Sequence, residues 1–118
     1  MRHEDLEVWR KAYAFALDVY KVTRSFPQEE TYGFTSQLRR AALSIPLNIA
    51  EGSVRSSNKD FLHFLNIAEG SLAECSTLIK MAADLSYIAV EKNEDLLNQL
   101  RSIQHMLNAF ESSIRRKK

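Results

Sequence analysis

Glycine and proline are scarce in this chain, with three of one and two of the other among 118 residues. Turn-rich β folds depend on both, so their scarcity points toward long helices. The lone Cys75 cannot close an internal disulfide, and the fold therefore needs no oxidising compartment. No apolar run approaches the roughly 18 residues of a membrane span. Residues Met1 to Asp5 lead into a charged amphipathic stretch and not into the apolar core of a signal peptide. Lys and Arg total 16 against 15 Asp and Glu, so there is no excess of one sign over the whole chain. A single cytoplasmic domain with no membrane contact is the expectation, since one core normally serves a chain of this length. Gly-rich phosphate loops, nucleophile elbows and Cys-x-x-Cys pairs are also missing.

What the chain does contain is four stretches of helical periodicity. In the first, Leu6, Trp9, Tyr13, Ala16, Leu17 and Tyr20 share one stripe, and Pro27 predicts an end near Arg24. The extended backbone preferred before Pro27 would fold Phe26 over the end of the helices. The second stretch, about 32–54, carries Phe34, Leu38, Ala41, Ala42, Leu43, Ile45, Leu47, Ile49 and Ala50. Between residues 41 and 50 these nearly encircle the helix. A helix that is apolar all round must be covered all round. One four-helix core covers one face only, so Leu43 and Leu47 call for a second copy of the chain. Pro46 removes a backbone donor inside this helix and predicts a kink, not a break, because the apolar pattern keeps its phase.

Ser57 with Asp60 resembles a capping box that opens a third helix, about 58–86. Its seam, Phe61, Leu65, Ala68, Leu72, Cys75, Ile79 and Ala82, steps by four and three. Asn93 is a candidate cap for the fourth helix, about 93–115, with the seam Leu96, Leu100, Ile103, Leu107, Phe110 and Ile114. Four such helices with short links predict an all-α fold, an antiparallel up-down-up-down four-helix bundle. The hexapeptide Asn48 to Ser53 recurs identically as Asn66 to Ser71. Close helix crossing at its small residues is the simplest reason, because Gly70 inside a helix costs about 1 kcal/mol relative to Ala.

Bundles can hold di-metal sites, which need several carboxylates and paired Glu-x-x-His motifs. The nearest spacing here is a single Asp60-x-x-His63, so no metal, cofactor or small-molecule substrate is expected, and no catalytic residue is assigned. Gln37, Ser44, Asn48 and Glu51 share one face of the second helix, among apolar neighbours. They read either as a buried network fixing register or subunit contacts, or as the lining of a groove. Arg39 and Arg40 precede the apolar stretch, Arg55 and Lys59 follow it, and Arg115, Arg116 and Lys117 stand in the basic tail. These read as a solvated, ion-paired surface or as a nucleic-acid contact, two alternatives that the residues leave open.

Three blocks then carry a resemblance. They are Leu6-Glu7-Val8-Trp9 with Tyr20-Lys21-Val22-Thr23 and Phe26-Pro27-Gln28-Glu29-Glu30, the runs Tyr32 to Ala42 and Ser44 to Gly52 with Arg55 beyond, and the run from Phe64 to Glu74. Together they resemble the bacterial four-helix-bundle family named for proteins encoded in intervening sequences of 23S ribosomal RNA genes. The resemblance implies a ring-like homopentamer. It also implies kinship with the accessory variability protein of diversity-generating retroelements, a basic pentameric barrel that binds nucleic acid and a reverse transcriptase. By position the implied basic residues are Arg39, Arg40 and Arg55, and the implied structural signature is Pro46, Asn48, Glu51 and Gly52. The expectation is a non-enzymatic homo-oligomer that binds RNA or a nucleoprotein partner. Its rival is a structural or protein-interaction module whose basic residues only form salt bridges; a metal-dependent enzyme in the bundle core is the remote third.

Overall fold

A computed structural model describes residues 2–116. Its four long helices are α1 (Glu7–Val22), α2 (Phe34–Ser53), α3 (Asn58–Asp84) and α4 (Val90–Arg116), and the described residues include no strand. Single 3-10 turns at His3–Asp5, Thr23–Ser25 and Gln28–Glu30 complete the chain. Neighbours in sequence are neighbours in space, and α1 against α4 closes the ring of four. Contacts between opposite ends set the antiparallel sense. The end of α1 meets the start of α4 where Asp18 accepts from Lys92 at 2.8 Å and from Gln99 at 2.9 Å. Burial alone would raise the Asp18 carboxyl, but these two donors outweigh it and hold it below the usual carboxylate range. The radius of gyration is 14.8 Å, against about 13–14 Å for a compact domain of this length. The bundle is a rod, 48 Å along its long axis.

The seams of α3 and α4 are buried where the spacing places them, apart from a partly buried Phe110, with Leu65, Cys75, Ile79 and Leu107 fully enclosed. Each large side chain so buried contributes about 1.5–3 kcal/mol. The first helix differs from expectation. Its core side is Val8, Ala12, Phe15, Ala16 and Val19, whereas Tyr13 and Leu17 stay about half exposed. Helix α1 carries two apolar stripes side by side, and the larger aromatics lie on the outer one. Periodicity gives the spacing of a stripe but not which of two adjacent stripes meets the core.

Helix α2 runs unbroken through a buried Pro46. Phe26 is buried at the bundle end, its ring 6.1 Å from Phe34 and 5.4 Å from Tyr87. Ser57 caps α3 by accepting from the Asp60 N–H at 3.1 Å. Asn93 does not cap α4: the helix begins three residues earlier, at Val90, and the Asn93 N–H already bonds the Ala89 carbonyl. The chain leaves α3 through Ser86 at φ 64°, with Tyr87 N–H bonded to the Ala82 carbonyl and Ser86 N–H to that of Ala83. This left-handed close turns the chain in so few residues that α4 starts early.

The repeated hexapeptide plays two unlike parts. A side chain on Gly52 would lie 2.8 Å from Phe61 Cδ1 and 3.0 Å from Phe64 Cβ, so α2 and α3 do cross closely there. Around Gly70 nothing lies within 4 Å, and close crossing within the chain does not account for it.

Candidate nucleic-acid interface

The basic residues singled out in the sequence separate into two groups: Arg39 and Arg40 lie in the first half of α2, whereas Arg55 follows its last turn, Lys59 opens α3, and Arg115 and Arg116 end α4. Arg39 and Arg55 are sixteen positions apart, or about 24 Å at the helical rise. Arg39 is committed to the fold. Its Nε donates to Thr23 Oγ1 at 2.7 Å, its Nη2 to the Tyr20 carbonyl at 3.3 Å, and its guanidinium lies 4.7 Å above the Tyr20 ring. The C-terminal carbonyls of α1 need donors, and a cation there also meets the negative end of the helix dipole. Arg40, the next residue, points elsewhere. It is exposed and makes no hydrogen bond or ion pair among the described residues.

At the other end, Arg55 pairs with Glu51 and lies 4.7 Å over the Phe64 ring. The start of α3 and the end of α4 enclose a groove of about 540 Å³, lined by Lys59, His63, Asn66 and Arg115, among others. Neither Lys59 nor Arg115 has an ion-pair partner among the described residues. Arg116 is exposed at the end of α4, while Lys117 lies outside the described residues. His63, which the sequence pattern offered only in the Asp60-x-x-His63 metal spacing, is the member not assigned there to a basic surface. Its four-residue offset from Lys59 was the available signal, since residues so spaced share a helix face.

The polar face of α2 is brought together only in part. Asn48 Nδ2 donates to the Ser44 carbonyl at 2.8 Å and to Ser44 Oγ at 2.9 Å. Ser71 Oγ reaches Ser44 Oγ from α3 at 2.7 Å. Gln37 Nε2 donates across the same interface to Glu74 Oε2 at 3.0 Å. Glu51 leaves this group for Arg55. Ser71 and Glu74 are partners that no spacing on α2 reveals, because they belong to the facing helix.

On the opposite flank of α2, Leu43 and Leu47 are 37% and 61% exposed. They continue an apolar surface from α1, where Tyr13, Leu17 and Tyr20 border a shallow pocket with Leu43 and Pro46. No group of three or more His, Cys, Asp or Glu among the described residues is arranged to hold a metal ion. Cys75 is fully buried, and burial pushes its thiol up to about 12, which removes the reactive thiolate. Among the described residues no helix is long and apolar enough to cross a membrane.

The family model for the 23S rRNA-intervening sequence protein matches residues 4–109. The chain belongs to that family. Among solved structures, one similar to this member is a protein of unknown function from the S23 ribosomal protein family of Bacteroides thetaiotaomicron. It is 25% identical, with a TM-score of 0.82 over 89% of this chain and 95% of the other. No curated protein matches the chain.

Proposed function

We propose that this family member is a non-enzymatic, ring-like homopentamer of the cytoplasm that binds RNA through the groove between the start of α3 and the end of α4. The observation that carries the RNA reading is the convergence of Lys59, His63 and Arg115 on one surface, where neither permanent cation is in a direct ion pair among the described residues, although Arg115 stands near the Glu111 carboxyl. Unpaired cations release condensed counterions when they meet phosphates, which makes such a surface a phosphate binder. Arg116 and Arg55 extend it. Arg40 lies about 20 Å away along α2, so one RNA reaches both only by running along the rod. A reverse transcriptase, the other partner implied by the resemblance, would be a second user of the basic end.

Self-association rests on the apolar flank of α1 and α2, where four large side chains are left in solvent. Such a patch on a small chain marks an interaction surface. Light scattering should give five times the 13.6 kDa of one chain, and a single-chain mass at micromolar concentration would end the ring.

Filter binding to structured RNA over a salt series tests the nucleic-acid reading. The log–log slope should fall by about two units in a Lys59→Ala/Arg115→Ala double variant, one for each phosphate no longer neutralised. Binding that ignores salt, or a double variant with the wild-type slope, would leave the interaction-module reading in its place.

A further inference from the structure

Between the first half of α2 and the middle of α3 lies a second cavity, of about 490 Å³, at a distance from the basic groove. Its floor is the Ser44–Ser71 hydroxyl pair, and one wall is the Gln37–Glu74 hydrogen bond. Its rim is formed by Tyr32, Ser36 and Arg40. Tyr32 is 97% exposed although its backbone is held. The Thr31 N–H bonds the Gln28 carbonyl, and the Gly33 N–H bonds that of Glu30. A bare aromatic face on a turn whose backbone is pinned is available as a stacking platform. Ser36 and Arg40 stand four residues apart on α2, so a hydroxyl and an unpaired guanidinium line up beside that ring. At the start of α2 the Phe34 N–H already donates to Glu30 Oε1 at 3.4 Å, so an anion at this rim rests on Arg40 and Ser36 and not on the helix N-terminus.

Across the cavity the polarity reverses. Gln37 turns one of its two amide N–H groups to Glu74, which leaves its carbonyl oxygen and the second Glu74 oxygen as acceptors. A ligand that fits presents a planar ring to Tyr32, one anion to Arg40 and Ser36, and ring or amino N–H donors to Glu74 and Gln37. We propose that this cleft binds one nucleoside monophosphate unit, its base stacked on Tyr32 and its phosphate held by Arg40. Glu74 limits the charge, since a di- or triphosphate would bring further negative charge toward the carboxylate. The unit is either a free nucleotide or one residue of a single-stranded nucleic acid.

Calorimetry and ligand-observed saturation-transfer NMR on the full chain test the site. The probes are AMP, GMP, CMP and UMP, inorganic phosphate, and a short single-stranded RNA. At least one nucleotide should bind saturably, with its base protons receiving the transfer. Tyr32→Ala should weaken binding about tenfold or more, as removal of one stacking partner does. Tyr32→Phe should stay within about twofold, because the π face remains. Arg40→Gln should weaken binding and flatten its salt dependence. Tighter binding of the oligonucleotide names a strand residue as the occupant, and tighter binding of the mononucleotide names the free ligand; either ordering upholds the site. No saturable binding by any nucleotide, equal affinity for inorganic phosphate, or an unaffected Tyr32→Ala would overturn it. The Lys59→Ala/Arg115→Ala variant should keep mononucleotide affinity, so this site and the basic groove fail or stand separately.

Discussion

Helix α2 presents opposite chemistry on its two flanks. Toward α1, Leu43, Pro46 and Leu47 lie beside Tyr13, Leu17 and Tyr20, an apolar area with no preferred direction. Toward α3, Ser44 meets Ser71 and Gln37 meets Glu74 through hydrogen bonds of 2.7 and 3.0 Å, with Asn48 bonded to Ser44 from within α2. Apolar area gives association energy that is indifferent to small slips, whereas hydrogen bonds hold one register and penalise every other. The α1 flank is therefore suited to meeting another surface, and the α3 flank to holding a shape into which a ligand fits.

The largest effect expected of a single change is on the apolar flank. Leu47→Glu places a charge in the proposed subunit contact and should reduce the light-scattering mass to that of one chain. Gln37→Ala, on the polar flank, should leave the assembled mass unchanged. Equal masses for wild type and Leu47→Glu would erase the distinction between the flanks.

A buried carboxyl sharpens the comparison from the other side of α3. Glu111 on α4 is 5% exposed, and its Oε2 has no hydrogen-bond partner among the described residues. Burial, and then Glu69 beside it, push its carboxyl up to about 7 from the usual 4.5. The folded state thus holds a proton that the unfolded chain releases. The contribution of this proton to stability is full below pH 4.5 and is lost as pH rises through about 7. Glu111→Gln should remove this slope, raising the urea midpoint at pH 8 and leaving it nearly unchanged at pH 4. A variant that is less stable at pH 8 would show that the ionised carboxylate has a partner in the working assembly.

The smallest changes concern the hexapeptide that both α2 and α3 carry. Gly52→Ala should destabilise by about 1–2 kcal/mol, because the overlap with Phe61 and Phe64 exceeds the helix-propensity gain. Gly70→Ala meets open space and should stabilise by about 1 kcal/mol in thermal unfolding. If Gly70→Ala destabilises instead, and more so as protein concentration rises, a second copy packs against α3 and the polar flank also joins the assembly.

Much of this architecture was legible along the chain. The number of helices, the seams of α3 and α4, the Ser57 cap and the folding back of Phe26 follow from spacing and local chemistry within a few residues. The α1 stripe was not legible, since Val8, Ala12, Phe15 and Val19 compete with a neighbouring line of larger aromatics. The start of α4 escaped the pattern because the left-handed turn at Ser86 shortens the link in a way no residue type announces. The two copies of one hexapeptide illustrate the same limit, as identical residues meet crowding at Gly52 and open space at Gly70.

The basic residues mark the boundary most clearly. Arg39 and Arg40 are adjacent and chemically identical, yet one closes the end of α1 and the other stands free at the rim of a cleft. Helical rotation of about 100° per residue separates them, and only the position of α1 decides which side is occupied. Periodicity along one strand of sequence dictates helices and the faces they must bury. Which polar groups are consumed by neighbours, and which remain to meet a ligand, depends on contacts between residues remote in sequence.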